Sequence, residues 1–375
     1  MSKYELSLAP DYVPEWGVVE AVRELFQNAI DQQTTLPDNA MFSNYDAEKQ
    51  LLSVGNKNSV LEVKTLLLGS TTKANDSKTI GQHGEGYKVA TLVLTRLGKV
   101  VTFYNYGARE VWRPRFVKSR RYGTQVLTFF VDKKYIWQSV PDNNLSIEIE
   151  GITPEEYAKI VESNLHLQDV GDVIETPRGR ILEDEKFKGK VFVNGLFVCK
   201  YEPYQYGYDF KPEYIKLDRD RKLVSDFDLQ WLSSTMWVQS GASEKVIQLA
   251  KEGRADVHYV GSQYFYLSDS SRANLYDAAY DTFIREYGAN AVPVTSQSEL
   301  EIISPNYKPI IVPESYKHLI QKSSNYKLPE YIDTEPLDKQ FMAWFSKIRY
   351  WCSSAEVEEF EKLVDKLGKR LRAEY

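Results

Sequence analysis

The segment RELFQNAIDQ contains three polar residues, Glu24, Asn28 and Asp31, at spacings of four and three residues. Residues at this spacing lie on one face of an α-helix. Carboxylates and amides can transfer protons or hold a cation, so a stripe of them is a candidate chemical site. The alternative is a solvated polar edge, because charged helix faces are common in soluble proteins.

The helix that carries this stripe is predicted from Glu15 to Gln32. Its apolar residues recur every three or four positions, which is the rhythm of an amphipathic helix. Pro14 lies near the first turn, where a helix tolerates proline. The polar stripe falls beside the apolar one rather than opposite it. The apolar positions are Val18, Val19, Val22, Leu25, Phe26, Ala29 and Ile30.

A second candidate site is the segment GQHGEGYK, in which Gly81, Gly84 and Gly86 directly precede a predicted helix. Glycine lets the backbone approach an anion closely, and the N–H groups at a helix start attract phosphate. The order G-x-x-G-x-G differs from the dinucleotide-binding order G-x-G-x-x-G, and no P-loop sequence occurs here. A flexible loop is the alternative interpretation.

Together these segments resemble the GHKL ATPases, the superfamily of gyrase B subunits, large heat-shock chaperones, sensor histidine kinases and MutL. ELFQNAID is similar to their helix motif E-x-x-x-N-x-x-D, and GQHGEG to their glycine lid motif. STTK, at Ser70–Lys73, resembles the Ser/Thr-Lys patch of the lid, and Gly123-Thr124 resembles the Gly-Thr step that opens a late strand. The resemblance spans about Glu15 to Val131, and stand-alone proteins of bacteria and phages look similar.

The resemblance implies a role for each residue of the stripe. Glu24 would be the general base that orients and deprotonates the attacking water, and Asn28 would bind Mg²⁺ through its amide oxygen. Asp31 would hold the other site residues in position without touching the nucleotide, or would contact the base of the nucleotide. Phosphoryl transfer depends mainly on such positioning and charge neutralisation. The other residues implied in ATP binding are Ser70, Thr71, Lys73, Gly81, Gly84, Glu85, Gly86, Tyr87, Lys88 and Thr124.

One position departs from the family pattern. The family has D-x-G-x-G after its second strand, and that Asp accepts a hydrogen bond from the adenine amino group. This chain reads VGNKNSV at the corresponding place, with Gly55, Asn56, Lys57 and Asn58. Asn56 could receive the same hydrogen bond through its carbonyl oxygen, and base specificity stays open at this point.

The order of helical and strand patterns, together with the resemblance, predicts an α+β fold in three parts. Residues 1–134 are expected to form a Bergerat-type α/β sandwich that binds ATP, and residues 135–250 a transducer-like α/β domain. Residues 251–375 are expected to form a small α/β unit with a charged helical tail. In detail, VLEVKTLLLG is predicted to be helical and LSIEIEG to be a strand of the second domain.

The segment KVFVNGLFVCK places Asn194-Gly195 between two apolar runs, which is the strongest short signal for a hairpin. The hairpin resembles one in the transducer domain of gyrase B and MutL, where a basic residue from a loop reaches the γ-phosphate. The resemblance implies Arg219, Arg221 or Lys222 for that role here. A surface charge cluster is the alternative.

The composition limits the partners. The chain of 375 residues has two cysteines and no apolar run long enough to span a bilayer, so a cytoplasmic protein without membrane contact is expected. The net charge of -6 does not support binding to nucleic acid. RPRFVKSRRYG, Arg113–Gly123, is a local exception with five basic residues. It is interpreted as a solvated strand edge or a contact for a polyanion.

The leading functional hypothesis is Mg²⁺-dependent binding and hydrolysis of ATP. Closure of the lid and the second domain around ATP, with formation of a homodimer, would switch a protein partner whose identity the sequence does not give. The alternative is a nucleotide-sensing scaffold without significant turnover, with a role in phage–host conflict. A histidine kinase and a topoisomerase are disfavoured, because little chain precedes the first motif and no cleavage domain follows.

Overall fold

The computed structural model shows a mixed α+β protein with a large antiparallel sheet, which confirms the predicted fold class. The chain divides into two compact units, Met1–Ser240 and Gly241–Tyr375. Within the described residues, no helix is long and apolar enough to cross a membrane. The structure describes residues 1–67, 86–133, 143–215, 225–262, 269–330 and 337–373.

The first unit is built on a seven-stranded sheet whose neighbouring strands are all antiparallel. The spatial order of its strands is β1-β6-β5-β4-β7-β3-β2. The strands are β1 (Ser2–Glu5), β2 (Met41–Asp46), β3 (Leu51–Asn56), β4 (Val100–Asn105), β5 (Glu110–Lys118), β6 (Gln125–Lys133) and β7 (Leu145–Glu150).

One strand position corrects the sequence interpretation. β7, which was expected in the second domain, pairs with β3 and β4 inside the first sheet. Alternation shows which residues of a strand share a face, but pairing partners are set by contacts distant in sequence. β5 lies between β6 and β4, but only Glu110–Trp112 pair with β4. The basic segment from Arg113 onward pairs with β6 alone, which fits the predicted solvated strand edge.

Helices cover one face of this sheet. α1 (Val18–Thr35) and α2 (Gly86–Arg96) pack against each other and against the strands. α1 begins three residues later than predicted, because the Glu20 carboxylate accepts a hydrogen bond from the Gly17 N–H at 2.9 Å and so caps the helix there. α2 ends before Gly98, which has a φ of 77° and follows the helix as a predicted C-cap residue.

The predicted helix at VLEVKTLLLG is wrong in the part that the structure describes, where a single 3-10 turn, Val63–Leu66, is found. The buried side chain of Asn105 donates to the Leu61 carbonyl oxygen at 2.7 Å and accepts from the Leu61 N–H at 3.3 Å. The first of these bonds occupies the Leu61 carbonyl oxygen, which would accept an N–H from the next turn if the segment were helical.

The rest of the first unit contains α3 (Pro154–Glu162), a five-stranded sheet and α4 (Asp226–Gln239). Thr153 and Glu156 form the predicted capping box of α3. The predicted hairpin is confirmed, with Asn194 and Gly195 in its turn at φ values of 50° and 79°. The strands, β8 (Val173–Thr176), β9 (Gly179–Leu182), β10 (Lys190–Val193), β11 (Leu196–Lys200) and β12 (Gly207–Phe210), are arranged β11-β10-β12-β9-β8.

The second unit pairs two parallel strands, β13 (Ala291–Val294) and β14 (Lys308–Ile311). They follow the predicted order of strand, helix, strand, helix. In the helical tail, the rings of Phe345 and Phe360 stack at a centroid distance of 3.9 Å. The helices are α5 (Ser243–Lys251), α6 (Asp269–Tyr287), α7 (Gln297–Glu301), α8 (Glu314–Gln321), α9 (Leu337–Ser346) and α10 (Ser354–Ala373).

Candidate functional site

The two sequence motifs meet where α1 faces the first described residue of α2. A Cβ atom placed on Gly86 would lie 2.7 Å from Glu24 Oε2 and 3.3 Å from Asn28 Nδ2. A real Cβ essentially never comes as close as 2.7 Å, so any residue other than glycine would require the Glu24 carboxylate to shift from this position. The carboxylate and the amide of α1 therefore lie against the backbone of the glycine motif.

The polar stripe of α1 is buried. Glu24 and Asp31 have exposed fractions of 1% and 0%, and Gln27, between them in sequence, has 2%. The solvated-edge interpretation is therefore wrong for the two carboxylates. Burying a carboxylate is costly unless other groups interact with it, so this helix places its polar residues for a reason other than solubility.

Arg23 lies beside the buried acid. Its Nη2 is 3.7 Å from Glu24 Oε1, and its Nη1 donates to the carbonyl oxygen of Phe197, in β11, at 3.5 Å. The guanidinium thus connects the acid with the hairpin of the five-stranded sheet. Sequence reasoning missed Arg23; the available signal was a basic residue directly before Glu24 in a helix that buries most of its neighbours.

The orientation of the Asn28 amide follows from its hydrogen bond. Asn28 is half-buried, and its Nδ2 donates to the backbone carbonyl oxygen of Glu24 at 2.8 Å. A carbonyl oxygen can only accept, so the nitrogen of the amide must be the atom on that side. Oδ1 is then the atom of Asn28 that is left to bind a cation or accept a hydrogen bond.

Asn56 is held by the same kind of bond. It ends β3, it is 5% exposed, and its Nδ2 donates to the carbonyl oxygens of Ala29 at 2.8 Å and Asn39 at 2.9 Å. Both amide hydrogens are used, and a carboxylate could supply neither. The asparagine at this position, where the GHKL motif that the sequence resembles has Asp, therefore has a structural reason here. It still leaves Oδ1 as an acceptor.

Tyr87 and Lys88, at the start of α2, contact residues near the end of the described stretch that precedes α2. The Tyr87 hydroxyl lies 2.9 Å from Thr65 Oγ1, and burial raises the pKa of Tyr87. The Lys88 ammonium group is fully buried and donates to the carbonyl oxygen of Leu67 at 2.6 Å. One contact of Lys88 is therefore with the backbone at Leu67, and the phosphate contact that the resemblance implies stays a prediction.

The structure does not bring every predicted residue to this place. Thr124 is exposed in the turn between β5 and β6, and no described contact joins it to Glu24, Asn28 or Asn56. The remaining predicted residues lie outside the described residues. They are Ser70, Thr71, Lys73, Gly81, Gly84, Glu85, Arg219, Arg221 and Lys222.

Comparisons with known proteins give a limited result. No protein-family model matches the chain. An uncharacterized protein of Mycoplasma pneumoniae is 28% identical over 227 residues, which are 56% of this chain and 87% of that protein.

Two crystal structures of the ATPase region of Saccharomyces cerevisiae topoisomerase II are similar at 11% and 12% identity, with TM-scores of 0.32 and 0.28. One of them contains ICRF-187 (dexrazoxane). The match covers 48% of this chain and 62% of each solved chain, so this protein spans less than two thirds of their length. Likeness at this level carries no argument about function.

Proposed function

We propose that the first unit binds Mg²⁺ and ATP and hydrolyses the nucleotide. The observation that carries the proposal is the approach of Gly86 to Glu24 and Asn28. It combines a buried carboxylate, the side-chain amide of Asn28 and the backbone of a glycine motif in one place. Phosphoryl transfer to water needs these three kinds of group: one to position water, one to hold the metal, and one to hold phosphate.

The residues fit a magnesium–nucleotide complex in their chemistry. Asn28 Oδ1 is a hard oxygen ligand of the type that Mg²⁺ prefers, and its amide is held by the Glu24 backbone. When bound, Mg²⁺ would neutralise phosphate charge. Among the described residues, no group of three or more His, Cys, Asp or Glu side chains is arranged to hold a metal ion. The amide oxygen of Asn28 is therefore the protein ligand that the proposal names.

Glu24 is assigned to the attacking water. A carboxylate beside a triphosphate repels it, so Glu24 contributes little to nucleotide affinity. Its role is to accept a proton from the attacking water. Arg23, at 3.7 Å, offsets part of the negative charge and restricts the position of the carboxylate. The burial of Glu24 also keeps bulk water from competing for its oxygens.

Asn56 is assigned to the base of the nucleotide. Its hydrogens are taken by the carbonyl oxygens of Ala29 and Asn39, so Oδ1 can only accept. The amino group of adenine is a donor that suits this oxygen, as the resemblance to the GHKL motif implies. Guanine carries a carbonyl oxygen at the same ring position, which would place acceptor against acceptor. The arrangement therefore suits ATP rather than GTP.

The test compares phosphate release by the wild type and by Glu24→Gln, with ATP affinity measured for both by calorimetry. We expect affinity to be equal or tighter and turnover to fall by about two or more orders of magnitude, because only the general base is removed. Glu48→Gln, an exposed carboxylate in the β2–β3 turn, is the matched control and should keep wild-type turnover. Equal phosphate release by the wild type and Glu24→Gln would remove the enzyme interpretation.

The alternative function, a nucleotide-sensing scaffold that binds ATP without turnover, would then remain.

Both the ATPase and the scaffold version of the proposal include a conformational switch that acts on a homodimer or a protein partner. Light scattering with and without a non-hydrolysable ATP analogue measures the dimer directly, and a mass that does not depend on the analogue would remove dimerisation from the switch.

A further inference from the structure

β5 and its turn to β6 carry five basic residues, which we call the basic ribbon: Arg113, Arg115, Lys118, Arg120 and Arg121. All five are exposed. Within the described residues, one of them has an acidic partner: Arg113 Nη1 lies 3.5 Å from Asp132 Oδ2. The other four form no ion pair with a described residue, although the chain as a whole has a net charge of -6.

Two of these cations rest on aromatic rings instead. The Arg115 guanidinium lies 4.1 Å from the ring centre of Phe130, and that of Arg121 lies 5.4 Å from the ring centre of Tyr122. Such contacts hold a guanidinium in place without neutralising its charge. The charges of Arg115 and Arg121 are therefore oriented without an acidic partner among the described residues.

The turn that presents the basic ribbon is well braced. Ser119 is 1% exposed, its N–H donates to the Thr124 carbonyl oxygen at 2.9 Å, and its carbonyl oxygen accepts from the Gly123 N–H at 3.0 Å. Its hydroxyl donates to Glu5 at 2.7 Å and accepts from the Arg121 N–H at 3.2 Å. Glu5, the nearby carboxylate, also accepts from Lys3 at 2.7 Å. A braced turn loses little conformational freedom when it binds a partner.

Next to its turn the basic ribbon is two-stranded, whereas Arg113 and Arg115 lie opposite Phe130 and Thr128, which also pair with β1. β5 pairs with β4 only through Glu110–Trp112. The pairs Val117–Val126 and Lys118–Gln125, next to the turn, belong to β5 and β6 alone. A two-stranded ribbon has dimensions that the major groove of duplex nucleic acid accepts.

We propose that the basic ribbon docks on the phosphate backbone of duplex nucleic acid. Cations without acidic partners are the groups that replace counterions along a phosphate backbone. Insertion into a membrane surface would need exposed apolar side chains, and single-stranded binding would need several exposed rings. In the described turn, Tyr122, at 45% exposed, is the only exposed aromatic or large apolar side chain. On the side of β5 that faces β4, the positive surface ends at Glu148 and Glu150, which lie on β7, the strand beyond β4.

The test measures binding of a fluorescently labelled DNA duplex by anisotropy, over a series of salt concentrations. The variant combines Lys118→Gln, Arg120→Gln and Arg121→Gln. At about 50 mM salt we expect it to bind at least tenfold more weakly than the wild type, with a slope of log affinity against log salt that is shallower by about three. Each lost phosphate contact contributes about one to that slope.

The control combines Lys49→Gln, Lys188→Gln and Lys200→Gln, which change the net charge equally. These lysines lie elsewhere and pair with carboxylates at 2.9, 3.3 and 2.6 Å. We expect the control to bind within about twofold of the wild type, because surface charges outside the contact act weakly. A third protein, with Lys118→Arg, Arg120→Lys and Arg121→Lys, keeps the charges and should keep the affinity, which separates lost charge from a misfolded turn.

Three results would overturn the proposal. The first is a wild type that does not bind the duplex at low salt. The second is an equal loss in the basic-ribbon variant and the control, which would indicate attraction by overall charge. The third is better competition by single-stranded DNA or by vesicles containing phosphatidylserine than by unlabelled duplex.

Discussion

The two faces of the seven-stranded sheet present different hydrogen-bonding groups. On the helix-covered face, the amides of Asn28 and Asn56 direct their hydrogens to backbone carbonyl oxygens and leave oxygen atoms as acceptors. On the other face, which we call the open face, the Arg115 guanidinium rests on the ring of Phe130 and has no acidic partner among the described residues. The covered face thus presents acceptors, and the open face presents donors at Arg115.

This difference determines what substitutions should do. A buried polar group that is bonded to the backbone contributes to folding and to the site at once, so its replacement should change stability and activity together. An exposed cation contributes little to folding, so its replacement should change salt-dependent binding and leave stability nearly unchanged. The following predictions separate these two behaviours.

The largest effect is expected for Asn56→Asp. A carboxylate cannot donate to the carbonyl oxygens of Ala29 and Asn39, so the substitution leaves two acceptors without donors and adds a buried charge. We expect the free energy of unfolding to fall by about 3 kcal/mol. Urea denaturation measures this change. Asn44→Asp, at an exposed position in β2, is the control and should stay within about 0.5 kcal/mol.

If both substitutions changed stability equally, the two carbonyl contacts of Asn56 would not hold β3 to α1. The covered face would then lose the feature that distinguishes it from the open face. A loss that became smaller at low pH would support the contact, because a protonated carboxyl group can donate one hydrogen bond.

The next effect concerns Gly86→Ala, which adds a methyl group 2.7 Å from Glu24 Oε2 and 3.3 Å from Asn28 Nδ2. The two side chains must move, and a displacement of about 1 Å in a catalytic group can lower turnover by about 100-fold. Stability should change much less, because alanine favours a helix over glycine by about 1 kcal/mol and offsets part of the clash. Phosphate release and thermal unfolding measure the two quantities.

Gly17→Ala is the matched control for this substitution. It adds the same methyl group at the start of α1, where the nearest atom is again a glutamate oxygen, Glu20 Oε2, but at 3.3 Å rather than 2.7 Å. We expect turnover close to that of the wild type. Similar losses in both variants would mean that glycine at a helix start, rather than the approach of Gly86 to Glu24, sets the activity.

The parts of this arrangement that depend on neighbouring residues could be predicted from the sequence. The spacing of Glu24 and Asn28 placed both on one helix face, because the helical period is a local property. Asn194-Gly195 predicted the hairpin for the same reason, since a tight turn is encoded by its own residues. In these cases the described structure follows the prediction closely.

The parts that depend on distant pairing could not be predicted. The contact of Arg23 with Phe197 joins residues 174 positions apart. The donors of Asn56 find Ala29 and Asn39 only after β3 has packed beside α1. Apolar spacing at VLEVKTLLLG fits a helix, but Asn105, on another strand, holds the backbone of that segment in a different form. No local pattern carries this information.

The smallest effect is expected for Glu148→Gln on the open face. Burial, and then the charge of Glu150, raise the pKa of Glu148 above its ordinary value. The folded protein therefore favours the protonated form, and stability declines as the pH rises from the ordinary value of the carboxyl group through the raised one. Above that range the charged Glu148 carboxylate lowers the stability of the folded protein, and glutamine removes this destabilisation.

Glu148→Gln should therefore melt at a temperature higher by on the order of 1 °C at neutral pH. The gain should shrink as the pH falls toward about 4, near the unperturbed glutamate pKa, where the wild-type carboxyl group is also neutral. The groups facing Glu148 include Glu150 and the stacked rings of Tyr104 and Tyr106, whose own pKa values are raised and which stay neutral across this range. Thermal unfolding of both proteins between these pH values is the measurement. A gain that did not depend on pH would arise from packing, and the open face would then resemble the covered face in how it responds to substitution.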